Sequence, residues 1–253
     1  MWLTFLFSFS LLFSAVQCFP SKAVRTKSQL FAISGELKTI LKKPSKTLAA
    51  VLEVDLSNSD DGDVAVRSMQ LRKTNVSALY TRDFALASKL VKEQSSAKGN
   101  FPGPCPIIYE GKENLNDAFD AGVSAIVTSD LSIKGQESEN IIFRVSSAED
   151  VKNTVASNED ANAFLIEARS EELIESCMHV IPNGAIVIAS CECMQDEEGE
   201  IELAKKLKSK GITSILIEKA IVGDNEDLEY ASFLINGLTK KKSTAFNMTG
   251  ECN

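Results

Sequence analysis

Apolar residues recur along this chain in short bursts separated by polar stretches. They read LAAVLEV (48–54), VSALY (76–80), CPIIY (105–109), VSAIV (123–127), IIFRV (141–145), AFLIE (163–167), AIVIAS (185–190) and ITSILI (212–217). Each is rich in Val, Ile or Leu and lacks strict alternation, which predicts strands buried on both faces, as in parallel sheets. The intervening segments carry helical spacing. DVAVRSMQLRK places Val64, Met69 and Leu71 near one side. DFALASKLVKEQ does the same with Phe84, Leu86, Ala87, Leu90 and Val91. LNDAFDAG ends on a glycine, and SAEDVKNTVA opens with Ser147 and Asp150 at the spacing of a capping box. EEGEIELAKKLKSKG is acidic at its start, lysine-rich at its end and closed by Gly211, an order that complements the helix dipole. LEYASFLINGL supplies a last amphipathic helix.

Alternating strand and helix over eight units has one simple closed solution, a (β/α)8 barrel of the TIM type over residues 47–240. The link SDLSIKGQESEN after the fourth strand is short for a full helix. An open doubly wound sheet is the competing arrangement. It would carry a glycine-rich phosphate loop after an early strand, and EVDLSNSDDGD is not one.

The two ends read differently from the body. Trp2 to Val16 is almost wholly apolar and uncharged, the core of a signal peptide (1–18) with a cut between Cys18 and Phe19. It is short for a membrane anchor, which needs about 20 apolar residues. Residues 19–46 are basic and acid-poor, like a transit peptide. A signal peptide followed by Phe at the cut and a basic stretch resembles the two-part plastid presequence of algae with complex plastids. That implies the plastid (chloroplast stroma) reached through the secretory pathway; plain secretion is the alternative. Residues 241–253 form a polar tail.

Charge narrows the partners. Residues 19–47 carry seven basic residues and one acidic, a net of +6, so with −8 for the whole chain residues 48–253 carry −14. Such a body repels nucleic acid and anionic membrane surfaces. A protein partner or a small-molecule ligand is expected instead. No cofactor and no metal are expected. Cys191 and Cys193 form a C-x-C pair with both thiols on one side of a strand, but zinc would need two more ligands. His179 is the single histidine, which leaves a hydrolase triad without support.

The order of pieces resembles the indole-3-glycerol phosphate synthase family. CPIIYEGKENLNDAFDAGVSAIVTSDL is similar to that family's third strand, third helix and fourth strand. IPNGAIVIASCECMQDEEGEIELAKKLKSKGITSILIEKAIVGDNED is similar to its seventh and eighth units. The resemblance implies a barrel of tryptophan biosynthesis, a carbon–carbon lyase performing a decarboxylating ring closure. It also implies where the functional residues should stand, and there this chain departs from it. The first-strand lysine is matched by Asp55, and the third-strand lysine general acid by Glu110, with Lys112 two residues on. The fifth-strand glutamate is matched by Arg144. Of the sixth-strand N-N-R only Arg169 remains. The seventh-strand E-S-G becomes Ser190, Cys191 and Glu192, and the eighth-strand G-E becomes Glu218 and Lys219.

A substrate phosphate in such a barrel rests on backbone N–H groups after strands seven and eight, near Ser190, Cys191 and Gly223. A carboxylate about 4 Å from a bound anion costs about 4 kcal/mol at an effective dielectric near 20. The sequence therefore predicts a barrel of this type that has lost the family's catalytic set and acts by binding. The competing expectation is an active lyase with a rearranged site. Glu53, Asp55, Glu110, Lys112, Arg144, Glu167, Glu192, Glu218 and Lys219 all fall at or just past strand ends, where they would form a mutually paired rim or a new polar site.

Overall fold

A computed structural model describes residues 36–43, 47–111, 115–131, 140–193, 199–223 and 225–239. It begins with α1 (residues 36–41) and β1 (Ala49–Val54). There follow α2 (Asp61–Lys73), β2 (Ala78–Thr81), α3 (Phe84–Ser96), β3 (Ile107–Glu110) and α4 (Leu115–Ala121). The second half holds β4 (Ala125–Thr128), β5 (Ile141–Val145), α5 (Ala148–Ser157), β6 (Ala163–Glu167) and α6 (Glu171–Met178). It ends with β7 (Ile186–Glu192), α7 (Gly199–Ser209), β8 (Ser214–Ile221) and α8 (Asn225–Thr239). The strands pair in parallel in sequence order, and β1 pairs with β8 to close the barrel. The open-sheet alternative is therefore excluded. All eight apolar bursts become strands; four of them start two residues later than the apolar run itself. Residues 132–139 of the link between β4 and β5, and residues 240–253, lie outside the described residues.

Period two along each strand separates two cores. Leu52, Leu79, Phe143, Ile166, Ile217 and their neighbours face the helices. Val51, Tyr80, Ile108, Ile142, Leu165, Ile188 and Leu216 fill the barrel interior. Leu37 and Leu41 of α1 join the interior group and plug the N-terminal end. Ser214, fully buried at the start of β8, donates its hydroxyl to the Leu41 carbonyl at 2.6 Å. The barrel's packing thus reaches back to residues 36–41, inside the stretch that the sequence assigns to the segment 19–46.

Side-chain caps fix the helix starts at the mouth of the barrel. Asp60, Asp83, Ser147 and Ser170 each accept a backbone N–H from the first turn of α2, α3, α5 and α6. The Ser147–Asp150 spacing acts as expected, with the Asp150 N–H donating to Ser147 Oγ at 3.1 Å, and the Asp150 carboxylate also accepts from the Ser146 N–H and hydroxyl. On α2 the expected stripe needs correction. Val64 and Leu71 are buried, but Met69 is 38% exposed and Ser68 and Arg72 turn inward. Five residues after Val64, Met69 lies well off its face at 3.6 residues per turn. Arg72 and Ser68 instead meet Glu93 of α3, tying the two helices together.

Candidate functional site

The interior period of two continues to the mouth, and there it changes character. Glu53 follows Val51, Arg82 follows Tyr80, Glu110 follows Ile108, Arg144 follows Ile142, Glu167 follows Leu165, and Glu218 follows Leu216. Apolar layers thus give way to a ring of charges at the C-terminal strand ends, the face where barrel enzymes place their chemistry.

These charges are spent largely on one another. Arg144 lays its fork on Glu110, Nε to Oε1 and Nη2 to Oε2, both at 2.6 Å. Its remaining nitrogen reaches Glu167 Oε1 at 3.3 Å. Arg82 touches Glu53 at 3.1 Å, Glu218 at 3.2 Å and Glu110 at 3.4 Å. The Tyr80 hydroxyl donates to Glu110 and accepts from Arg82 Nε at 3.0 Å. Bidentate pairing of this kind fixes geometry as well as charge.

Two carboxylates of the ring, Glu53 buried and Glu110 half-buried, respond in opposite directions. Burial pushes Glu110 up, but the hydrogen bonds from Arg144 and Tyr80, with both guanidinium charges, outweigh it and hold Glu110 below its ordinary value. Burial also pushes Glu53 up; the Lys219 N–H and Arg82 offset that only in part, and neighbouring Glu218 and Glu110 add to it, so it stays raised. Burial and the Glu110 charge raise Tyr80, so the phenol stays neutral. Glu110 is therefore a poor general acid at neutral pH.

Strand β8 is distorted here. Its register with β1 shifts between Leu52 and Val54, and Lys219 adopts φ +54°, rare for a side chain with a Cβ. The Lys219 N–H, freed from the ladder, donates to Glu53 Oε2 at 2.8 Å. The ammonium of Lys219 is exposed and pairs with no carboxylate among the described residues. Lys219 therefore does not pair with Glu218; Arg82 does, on one oxygen, and Arg82 is a residue that sequence reasoning missed. A strand ended at Tyr80 leaves Arg82 in a loop, whereas period two from Ala78 puts it on the inner face. Tyr80 was missed likewise.

The turn after β8 is occupied by the protein itself. Gly223, at φ +123°, offers its carbonyl to Arg67 of α2. The Val222 N–H donates to the Asp227 carboxylate of α8 at 2.9 Å. A phosphate at this turn would have to displace that carboxylate.

The other expected residues fall as follows. Asp55 is exposed and bends onto Ser57, whose hydroxyl donates to it at 2.9 Å. Ser190 is buried on the inner face of β7. Cys191 is buried toward the helices and Cys193 packs against the same outer cluster, so both thiols share one side. Burial pushes the Cys191 thiol up to about 12. Among the described residues no group of three or more His, Cys, Asp or Glu could hold a metal ion. His179 caps the end of α6. Lys112 and the cut site at Cys18 and Phe19 lie outside the described residues. Among the described residues no helix is long and apolar enough to cross a membrane.

Two cavities open at the mouth. One of about 420 Å³ is bounded by Glu167, Arg169, Ser190, Glu192, Leu203 and Glu218. The other, about 490 Å³, is bounded by Glu53, Asp55, Ser57, Arg82 and Lys219. Glu218 lines the first and its partner Arg82 the second. A smaller cavity of about 240 Å³ lies at the opposite end, between α1, α3 and the start of β3.

No protein-family model matches the chain, and no curated protein matches it. Solved structures do. Thiamine phosphate pyrophosphorylase from Pyrococcus furiosus aligns with a TM-score of 0.56 at 11% identity, over 80% of this chain and 97% of that one. A Rubisco-like protein from Rhodopseudomonas palustris aligns at 0.59 and 11%, over 86% and 73%. Orotidine 5′-phosphate decarboxylase from Pyrococcus horikoshii OT3 aligns at 0.56 and 15%, over 76% and 100%. All are barrel enzymes, and at such identities the likeness establishes the fold, a (β/α)8 TIM barrel.

Proposed function

We propose that this protein is a barrel of the indole-3-glycerol phosphate synthase type that has given up catalysis and acts by binding a small ligand or a protein partner, in the plastid. The observation that carries the reading is the bidentate Arg144–Glu110 pair, which takes up two positions the family's chemistry would need. Dehydrative ring closure calls for a poised acid and base. Here the acid-position residue is a carboxylate locked to a guanidinium. The turn where a phosphate would rest has its Val222 N–H engaged by Asp227.

One feature supports the rival reading, an active lyase with relocated groups. The Lys219 ammonium is exposed at the edge of the 490 Å³ cavity. Incubating the protein with the phosphorylated anilino-deoxyribulose substrate and following indoleglycerol fluorescence separates the two. No turnover above buffer is expected. Turnover abolished by Lys219→Ala would establish the lyase instead.

A further inference from the structure

The β6–β7–β8 side of the mouth holds acceptors that the arginine network leaves over. Glu167 is matched, with Arg144 on one oxygen and Arg169 on the other. Glu218 gives one oxygen to Arg82, and its second has no donor among the described residues. Glu192, exposed at the end of β7, stands opposite Glu218 in the strand register with no partner among the described residues. Ser190, 4% exposed, lines the same cavity, and its hydroxyl has no partner among the described residues.

Register fixes how these groups sit. Residues opposite each other on paired strands lie about 5 Å apart, and Ser190 precedes Glu192 by about 7 Å on the same face of β7. Two carboxylates side by side repel unless a cation lies between them. The three acceptors are one hydroxyl and two carboxylates, and a primary ammonium carries three N–H donors. The wall also includes Leu203, Ala168 and Cys191, which can take a short carbon body. The volume of about 420 Å³ is that of a small-molecule site. Arg169, the cation on this wall, is already paired with Glu167, so an anion would face Glu192 and Glu218 uncompensated, and a metal ion lacks a converging ligand set among the described residues.

We propose that this cavity binds a small organic amine through its protonated nitrogen, held by Ser190, Glu192 and Glu218. The inference deepens the binding reading above and rests on it.

Calorimetry on the full chain with n-butylamine tests it. Saturable binding with a Kd of about 1 mM is expected, well within the ceiling for a ligand of five heavy atoms. Binding should fall about tenfold in Glu192→Gln and in Ser190→Ala, each of which removes one acceptor from a charged donor. Glu192 is exposed and Ser190→Ala deletes one atom, so both variants should keep the wild-type unfolding midpoint. Butylamine heat that does not saturate, or that is unchanged in both variants, overturns the proposal. So does equally tight binding of tetramethylammonium, which has charge but no N–H, or displacement of butylamine by low calcium chloride. Turnover in the fluorescence assay would sink the non-catalytic reading and leave this calorimetry intact. Failure with butylamine would sink the amine site and leave the turnover result standing.

Discussion

On the β3–β5–β6 side of the mouth, Arg144 sits between Glu110 and Glu167, and every oxygen of the two carboxylates has a donor. On the β7–β8 side, Ser190, Glu192 and Glu218 line a cavity with no cation on either strand's inner face to match them. The same inner positions of the same fold therefore yield a closed half and an open half. The difference lies in sign alone. A guanidinium placed between two carboxylates forms a lock. Two carboxylates placed side by side form a site waiting for charge. Arg82 is the boundary: 46% exposed, it shares its charge among Glu53, Glu110 and Glu218 and fully satisfies none.

The closed half should be the stability-bearing one. Replacing Arg144 with Met leaves Glu110 only Tyr80 and the more distant Arg82, and Glu167 only Arg169, and should cost about 2 kcal/mol in urea unfolding. Adding Glu110→Gln to that variant should recover part of the loss, because the poorly paired charge is gone. Equal stability of wild type and Arg144→Met would erase the contrast between the halves.

Acid titration sharpens the contrast further. Glu110 is held below its ordinary value, so its contribution is present above the unfolded-state value and lost as pH falls through the lower folded one. Unfolding midpoints should drop on the acid side, and Glu110→Gln should flatten that drop. Glu53 is raised, so its sign is opposite: its contribution is full below the unfolded-state value and is lost as pH rises through the folded one. At neutral pH Glu53→Gln should therefore be neutral or stabilising, since an amide oxygen can still accept the Lys219 N–H. A clear loss at neutral pH would contradict the role of burial.

At the distorted strand, Lys219→Gly should stabilise by about 1 kcal/mol, because a left-handed residue with a Cβ bears a strain that glycine avoids. A lower midpoint would show that the lysine side chain holds the bulge. The smallest effect belongs to the open half. Glu192→Gln should leave stability within about 0.5 kcal/mol, as an exposed unpaired residue does. A large loss would mean that Glu192 has a structural partner.

Much of this was legible in the chain. The bursts from LAAVLEV to ITSILI fix eight strands, because a strand covered on both faces needs apolar residues at every position. Alternation with helices then fixes the parallel barrel. The charged residues at strand ends, Glu53, Glu110, Arg144, Glu167 and Glu218, could be placed at the mouth by counting in twos. The same count from Ala78 and Tyr80 reaches Arg82, but Arg82 lies two residues past the end of its apolar run, where nothing local says that the strand's inner face continues.

By itself, then, the sequence determined the layers: apolar inside and outside each strand, and charge at one end; that Leu37 and Leu41 close the other end came only from the structure. The layers are a matter of periodicity, and periodicity is local. Only the closed barrel decided which charge meets which. Arg144 and Glu110 lie 34 residues apart, and Arg82 and Glu218 lie 136 apart. Closure of β8 onto β1 brings the second pair together and forces the Lys219 N–H onto Glu53. Ion pairing depends on a few ångströms of distance, and that distance is set by how the whole sheet closes.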